Sequence, residues 1–375
     1  MKSRELVVFY GMLLKKQKHH YYCNGAFGRY IDELASKFDK LYLVVPVLNV
    51  NSEDYVNDYE IISPNIVIQE LPDFNGYISA IRKNKLIKSA LKIHSQKWNS
   101  VVYIRWPVPF FKYVYNIASK KTLPVCFHIV GDTKAVVSEG TKYRGIIKIL
   151  AVKFADYNSN VIKKLIKYTP TLINGSGLRR LYSHDNKYIK EIRTSTFSKK
   201  EIEISNKIID KNAVNLLYVG YLRHEKGLSY LLQALKLLKK KLLNVNLTIV
   251  GEGDILNELK KEAKDLGVDE NVKFKGYVPL GESLFDEYKK HDIFILPSIS
   301  EGTPRVLLEA MCKGLAIIAT NTGGIPFTVK DEYNGILVET KKPKELADAV
   351  LRLINNDDLR NHIVANGFKF ADMNT

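Results

Sequence analysis

Cysteine is scarce. Cys23, Cys126 and Cys312 are the three present in 375 residues. At spacings of about a hundred residues or more they match neither a disulfide framework nor a metal-ligand motif, which suits a reducing cytosol. Long hydrophobic runs are missing too. The longest, over 41–48, contains Pro46 and is far too short to cross a bilayer. The N-terminal apolar stretch lacks a small-residue cleavage site and is followed by further basic residues, which argues against a signal peptide. A soluble, cytoplasmic protein is expected. No Asp-x-Asp triplet occurs. A divalent metal held between paired carboxylates needs such a triplet, so no metal and no cofactor are expected. With 46% apolar and 26% charged residues, disordered and fibrous chains are excluded.

Acidic residues are short in one half only. Residues 1–200 carry 33 Lys and Arg against 15 Asp and Glu, a net of +18, while 201–375 carry 24 against 25. A general lysine bias would not spare one half. Such asymmetry suggests nucleic acid, an anionic membrane or a polyanionic substrate as partner. A nucleic-acid binder needs basic residues interleaved with aromatics along one face, or a known module. Neither is visible, so no nucleic acid is expected.

At about 150 residues per domain the length implies two domains. Apolar runs over 6–10, 41–47, 66–71, 101–106 and 125–130 are rich in Val, Ile, Tyr and Phe without strict alternation, as strands buried on both faces are. Helical patterns lie between them, near 27–38, 78–98, 110–119 and 143–154. A polar stretch over 195–213 reads as a linker, giving domains 1–200 and 201–375. A second series of strands follows at 215–220, 247–250, 272–274, 293–297, 315–320 and 335–338. A helix over 228–243 carries Leu228, Leu231, Leu232, Leu235, Leu238 and Leu242 as one stripe. The fold class is α/β, two Rossmann-like domains in tandem.

The stretch SISEGTPRVLLEAMCKGLAIIATNTGGIP, from Ser298, carries the most chemistry. A strand end leads into a loop and a helix start, with Thr303 suited to the N-cap and Pro304 to the first helical position. The amides of Arg305, Val306 and Leu307 would then open toward an anion. Glu301 precedes the cap and Glu309 lies in the second helical turn. Two carboxylates around a phosphate-binding helix start suit a diphosphate with hydroxyls at both ends, as in a nucleotide sugar. Arg223 and Lys226, before Gly227 and another helix, add the positive charge that a departing diphosphate requires. The run TIVGEGDILNEL imitates a dinucleotide fingerprint, but Leu256 replaces the third glycine and the strand is the domain's second, so an NAD site is rejected. In the first half, YYCNGAFGRY reads as a loop before a helix, where Asn24, Gly25 and Ala26 would let backbone approach a ligand. His128 ends a strand, with structural and functional readings evenly matched. His19 and His20 read as a partnerless surface loop.

VGYLRHEKG, VGEGD, FKGYV, SEGTPRVLLEAM and TNTGGIP stand in order over about 110 residues, and NGAFGRY and FHIVGD extend the pattern more loosely. Together they resemble the retaining glycosyltransferase family 4, also called group 1, with its GT-B fold of two Rossmann-like domains facing an interdomain cleft. The resemblance implies catalytic roles for Glu301, His128 and Lys226. Glu301 would meet hydroxyls of the transferred sugar, Glu309 the ribose and Lys226 the diphosphate. Gly302 and Thr303 would line the donor with the amides above, and backbone at Tyr277 and Val278 would meet the base. His128 with Asn24, Gly25 and Ala26 would face the sugar and acceptor. Where the family often has Arg after Val-Gly this chain has Tyr221, and Arg223 is its nearest substitute. The resemblance also implies a last helix crossing back to the first domain, and the sequence stops at ADMNT.

The expected function is retaining, metal-independent transfer of a hexose from a nucleotide diphosphate sugar to a hydroxyl acceptor. By resemblance the acceptor would be a lipid-linked or cell-surface polysaccharide intermediate, as in lipopolysaccharide, O-antigen or capsule. Nucleotide-sugar epimerisation or hydrolysis on the same fold is the alternative. Within 79–98, Arg82, Lys83, Lys85, Lys88, Lys92 and Lys97 accompany Ile81, Leu86, Ile87, Leu91 and Ile93, ending at Trp98. Such a helix either packs its apolar side on the sheet or lies in an anionic membrane surface, and the +18 half favours the second, peripheral reading.

Overall fold

The computed structural model describes residues 4–51, 59–139, 145–182, 186–193, 195–203, 209–210, 213–241 and 244–374. Contacts divide the chain into two compact units, Met1–Ile192 and Arg193–Thr375. The division falls ahead of residue 200 because the first part of the expected linker packs on the second unit. Thr196 donates to the Glu309 carboxylate, and the Glu203 amide to the Cys312 carbonyl at 3.2 Å. Polarity there reflects hydrogen bonding rather than solvation. Residues 204–208 and 211–212 of that stretch lie outside the described residues.

The first unit runs β1 (Glu5–Phe9), β2 (Leu14–Gln17), β3 (His20–Cys23), α1 (Gly25–Ala35), β4 (Lys40–Asn49), β5 (Tyr59–Glu60), β6 (Ile66–Pro72), α2 (Tyr77–Arg82) and α3 (Asn84–His94). It continues with β7 (Val101–Trp106), α4 (Phe111–Lys120), β8 (Val125–Ile129), α5 (Thr133–Glu139), α6 (Gly145–Ile166), β9 (Thr171–Asn174), α7 (Ser176–Tyr182) and β10 (Ile189–Ile192). Its described strands take the order β10-β9-β8-β7-β1-β4-β2-β3-β5, with β6 also on β4. Val7, Val8, Phe9, Leu41, Leu43, Val44 and Val45 are fully buried, so the central strands are covered on both faces. The pairs β2–β3 and β3–β5 are antiparallel.

The second unit runs β11 (Val214–Val219), α8 (Leu228–Lys239), β12 (Val245–Val250), α9 (Leu256–Leu266), β13 (Val272–Gly276), α10 (Glu282–Lys290) and β14 (Ile293–Leu296). Then come α11 (Arg305–Cys312), β15 (Ala316–Thr320), β16 (Ile336–Val338), α12 (Pro343–Asn355) and α13 (Asp357–Asp372). The sheet is parallel throughout, ordered β13-β12-β11-β14-β15-β16. The α8 stripe is buried from Leu228 to Leu238, while Leu242 lies outside the described residues. Helix α13 packs on α11 and β15, inside its own unit.

Three expected elements differ. The helix over 78–98 is two helices parted at Lys83, whose ammonium pairs with Asp73 at 2.6 Å, and Ser95–Lys97 form a 3-10 turn. Trp98 is buried, its indole donating to Gln69 at 2.9 Å. The helix expected over 143–154 extends to Ile166, and residues 143–144 lie outside the described residues. Gly25 and Ala26 belong to α1 rather than to a loop, because the Asn24 side chain caps that helix on the Phe27 amide.

Helix α3 buries Ile87 and Leu91 completely and leaves Leu86 at 63% exposure. Leu91→Ala should cost the first unit about 2–5 kcal/mol, whereas Leu86→Ala should change it by no more than about 0.5 kcal/mol. Urea denaturation of both variants checks the assignment, and equal losses would contradict it.

Candidate active site

All strands of the second sheet point the same way, so the loops leaving β11, β12, β13, β14 and β15 collect along one edge, where ligands of open α/β sheets bind. The backbones there touch. Gly227 has φ +67°, and an added Cβ would stand 2.0 Å from the Pro297 carbonyl oxygen. Gly251, from the run that imitates a dinucleotide fingerprint, has φ +137°, and its Cβ would stand 1.9 Å from the Gly220 oxygen. Its role is therefore loop-to-loop approach, which no other residue permits. The Ile299 amide donates to the Glu225 carbonyl at 2.8 Å and the Gly324 amide to the Glu301 carbonyl at 3.1 Å, tying three loops together.

In this frame Lys226 and Glu301 meet. The ammonium lies 2.6 Å from Glu301 Oε2, with both side chains mostly buried, and Ser298 Oγ donates to the same oxygen at 3.2 Å. Burial and the Glu301 charge push the Tyr218 phenol well up, so it stays a neutral donor to the Tyr221 carbonyl, 3.0 Å away. Arg223 is more than half exposed, over the Tyr221 ring at 5.3 Å and 3.9 Å from Glu225. Tyr277 is 38% exposed on the loop after β13, and Val278 packs partly on the core.

The start of α11 differs from expectation. The N-cap is Pro304, not Thr303, and no side chain caps the helix, which begins at Arg305. The Leu307 amide turns to the Pro304 carbonyl at 3.4 Å, so it does not open toward an anion as expected. Gly302 is exposed, its amide 3.3 Å from Glu301 Oε1. Glu309 is 4% exposed and does not join the Lys226–Glu301 pair. One oxygen accepts from Thr196 and the other from Tyr288 at 2.8 Å. Burial, then the Glu309 charge, drives the Tyr288 phenol far up and keeps it protonated as a donor. Neither partner was evident in the sequence, since Thr196 is 113 residues away.

In the first unit, His128 is completely buried on β8. Its Nδ1 pairs with the Tyr103 hydroxyl, which also meets the Tyr30 hydroxyl at 2.8 Å. Nε2 is buried, with no hydrogen-bond partner among the described residues. Asn24 is occupied as the cap of α1 and stands apart from this cluster, its Nδ2 3.7 Å from the Met12 sulfur. His20 lies on β3 rather than in a loop and has a partner, Glu60, at 2.6 Å. Tyr30, Tyr103 and Arg105, which surround His128, were not singled out from the sequence; a lone charge inside the run VVYIRWP was the available signal.

Burial, helped by the nearby Arg105 charge, lowers the His128 pKa to about 3. An unfolded histidine titrates near 6.5, so below that pH the unfolded chain binds the extra proton. This contribution to stability is complete above about pH 6.5 and lost toward pH 3. Between pH 6.5 and 5 the native protein should lose about 2 kcal/mol more than His128→Gln. Denaturant melts at the two pH values measure this, and parallel losses would refute it.

Residues 199–370 match the family Glycosyl transferases group 1. An uncharacterized glycosyltransferase of Methanocaldococcus jannaschii is 37% identical over 155 residues, 41% of this chain and 39% of its own length. The chain thus spans about 39–53% of the length of the first-ranked curated relatives. Among solved structures, HepE of Anabaena in complex with UDP aligns over 99% of this chain and 95% of its own, with TM-score 0.69 and 15% identity. WaaG, a glycosyltransferase involved in lipopolysaccharide biosynthesis, aligns over 98% and 95%, with TM-score 0.68 and 15% identity. These likenesses give both units the GT-B fold.

Proposed function

We propose, from the match of residues 199–370 to the group 1 glycosyl transferases, that the chain transfers a sugar, with retention of configuration, from a nucleoside diphosphate sugar to a hydroxyl acceptor. The observation that carries this reading is the Lys226–Glu301 pair at the edge where the parallel strands end. A diphosphate entering there takes Glu301's place beside the Lys226 ammonium. Glu301, released, accepts hydrogen bonds from hydroxyls of the transferred sugar. As the bond from the anomeric carbon to the phosphate oxygen breaks, Lys226 stabilises the charge growing on that oxygen. The acceptor oxygen bonds to the anomeric carbon on the face the diphosphate leaves, which retains configuration, and its proton passes to the departing phosphate oxygen. Arg305 and Val306 amides and exposed Gly302 flank the phosphates, and backbone at Tyr277 and Val278 meets the base. Glu309 meets the ribose through the lone pairs that Thr196 and Tyr288 leave unused. The UDP of HepE supports a uridine donor.

No metal is required in this scheme, because cation and amides carry the diphosphate charge. Among the described residues no group of three or more His, Cys, Asp or Glu is placed to hold one. Lys226→Ala should lower turnover about a hundredfold or more, and native turnover should survive EDTA. Assays with a panel of nucleoside diphosphate sugars test both. Turnover within a few-fold of native for a folded variant would remove Lys226 from the site.

The acceptor is proposed to be a lipid-linked polysaccharide intermediate, met at the cytoplasmic membrane surface, which WaaG's role in lipopolysaccharide biosynthesis supports. No described helix is long and apolar enough to cross a membrane. Yet Ile78, Ile81, Leu86 and Ile93 on α2 and α3, and Ile146, Ile147, Ile149 and Leu150 on α6, are all about half or more exposed. The two regions meet where Tyr77 stacks edge-on against Phe154 at 5.3 Å. Exposed Lys85 and Lys92 stand beside them. Apolar side chains next to lysines suit an anionic interface, each cation adding about 1 kcal/mol. The protein should float with anionic vesicles, release as salt rises, and bind weakly after Lys85→Glu with Lys92→Glu. Equal flotation with neutral vesicles would favour a soluble acceptor.

A further inference from the structure

A cation without a counter-ion among the described residues lies at the corresponding edge of the first sheet. Arg105, near the end of β7, is 7% exposed. Its guanidinium stands over three rings, 4.4 Å from Tyr30, 4.8 Å from Tyr10 and 5.7 Å from Phe27. These contacts use the π faces of the rings and supply no acceptor to the guanidinium hydrogens. Among the described residues nothing accepts from the buried Nε and Nη1, and no carboxylate pairs with Arg105. A desolvated charge with unused donors is costly unless something meets it.

A second unsatisfied group adjoins it. His128 stands opposite Arg105 in the β7–β8 register, and its buried Nε2 has no partner among the described residues. Tyr30 touches both, 4.4 Å from Arg105 and 6.4 Å from the His128 ring. The Tyr103 hydroxyl fixes the ring through Nδ1. The cluster sits where parallel strands end, the ligand side of such sheets. A planar fork of donors walled by aromatic faces matches a two-oxygen anion, and a neutral imidazole nitrogen suits an adjoining hydroxyl.

We propose that Arg105 anchors an oxyanion site in the first unit, which holds the phosphate or carboxylate of an anionic acceptor beside His128 Nε2. Only the word acceptor rests on the transferase reading; the oxyanion site does not. Calorimetry on the full chain tests it with inorganic phosphate and acetate as probes, in a Lys226→Ala background that silences the cation of the second unit. One site should be seen, weakened about tenfold or more by Arg105→Met and less by Arg105→Lys. Stronger binding of phosphate assigns a phosphorylated acceptor, and stronger binding of acetate a carboxylated one. Arg105→Met should melt at or above the native temperature without ligand, because an unpaired buried charge has been removed. Unchanged phosphate and acetate binding in Arg105→Met, or a fall in melting temperature with no change in binding, overturns the proposal. Nucleoside diphosphate binding to Arg105→Met with Lys226 intact should equal that of the native protein. Absence of that binding in both proteins would count against the transferase reading and leave the oxyanion site to its own result.

Discussion

Burial of parallel strands on both faces is the constraint from which the rest of this molecule follows. Once β11, β14 and β15 have helices on either side, residues such as Leu216, Ile293, Ile295 and Ile317 have no access to water. Polar chemistry can then occupy only the strand ends. In a parallel sheet all of those ends of one polarity face the same way. Charged side chains from positions as distant as Lys226 and Glu301 are thereby delivered to one place, 2.6 Å apart. The glycines at 227 and 251 serve the same constraint, since loops crowded along one edge must cross backbone against backbone.

The two edges handle charge differently. In the second unit it is compensated internally: Lys226 by Glu301, and Glu309 by Thr196 and Tyr288. A ligand there must exchange for a partner already present, so preformed geometry is kept at the cost of competing with the pair. In the first unit Arg105 and His128 keep buried hydrogen-bonding atoms that have no partner among the described residues. A ligand there displaces nothing charged. Compensation of this kind favours release of a product anion, because the ion pair closes again behind it; the uncompensated edge favours capture.

Local pattern made most of the fold legible. Unbroken Val, Ile and Tyr runs located β1, β4, β7 and β8 within a residue or two, and the leucine stripe located α8. Of the strands that escaped notice, β2 (LKKQ), β3 (HYYC), β5 (YE) and β10 (IKEI) are short with mostly half-buried residues, so no hydrophobic signal marks them, while β9 (TLIN) is mostly buried but only four residues long. Cap geometry was legible at Asn24 as a residue type but not as a role. Its side chain belongs to α1, which turns Gly25 and Ala26 from an approach loop into a first helical turn. Proline at position 304 took the cap from Thr303 for a similarly local reason, its extended φ and ψ of −74° and 112° placing it just outside the helix.

What the sequence concealed are relations between distant side chains. Glu301 and Glu309 look alike on paper, eight residues apart around one helix start. Helical geometry separates them, since Glu301 lies in the loop before α11 while Glu309, in its second turn, faces inward to Tyr288 on α10. Arg105 illustrates the converse. Within VVYIRW it reads as a strand residue, and only the rings of Tyr10, Phe27 and Tyr30, carried in by β1's end and α1, show that its charge is enclosed. The excess charge of the first half therefore has two physical components. One is diffuse and solvated, in lysines such as Lys85 and Lys92 beside exposed apolar residues. The other is a single desolvated guanidinium. Salt screens the first over about 8 Å at physiological ionic strength but reaches the second far less, so surface attraction and site recognition depend on different residues and respond differently to ionic strength.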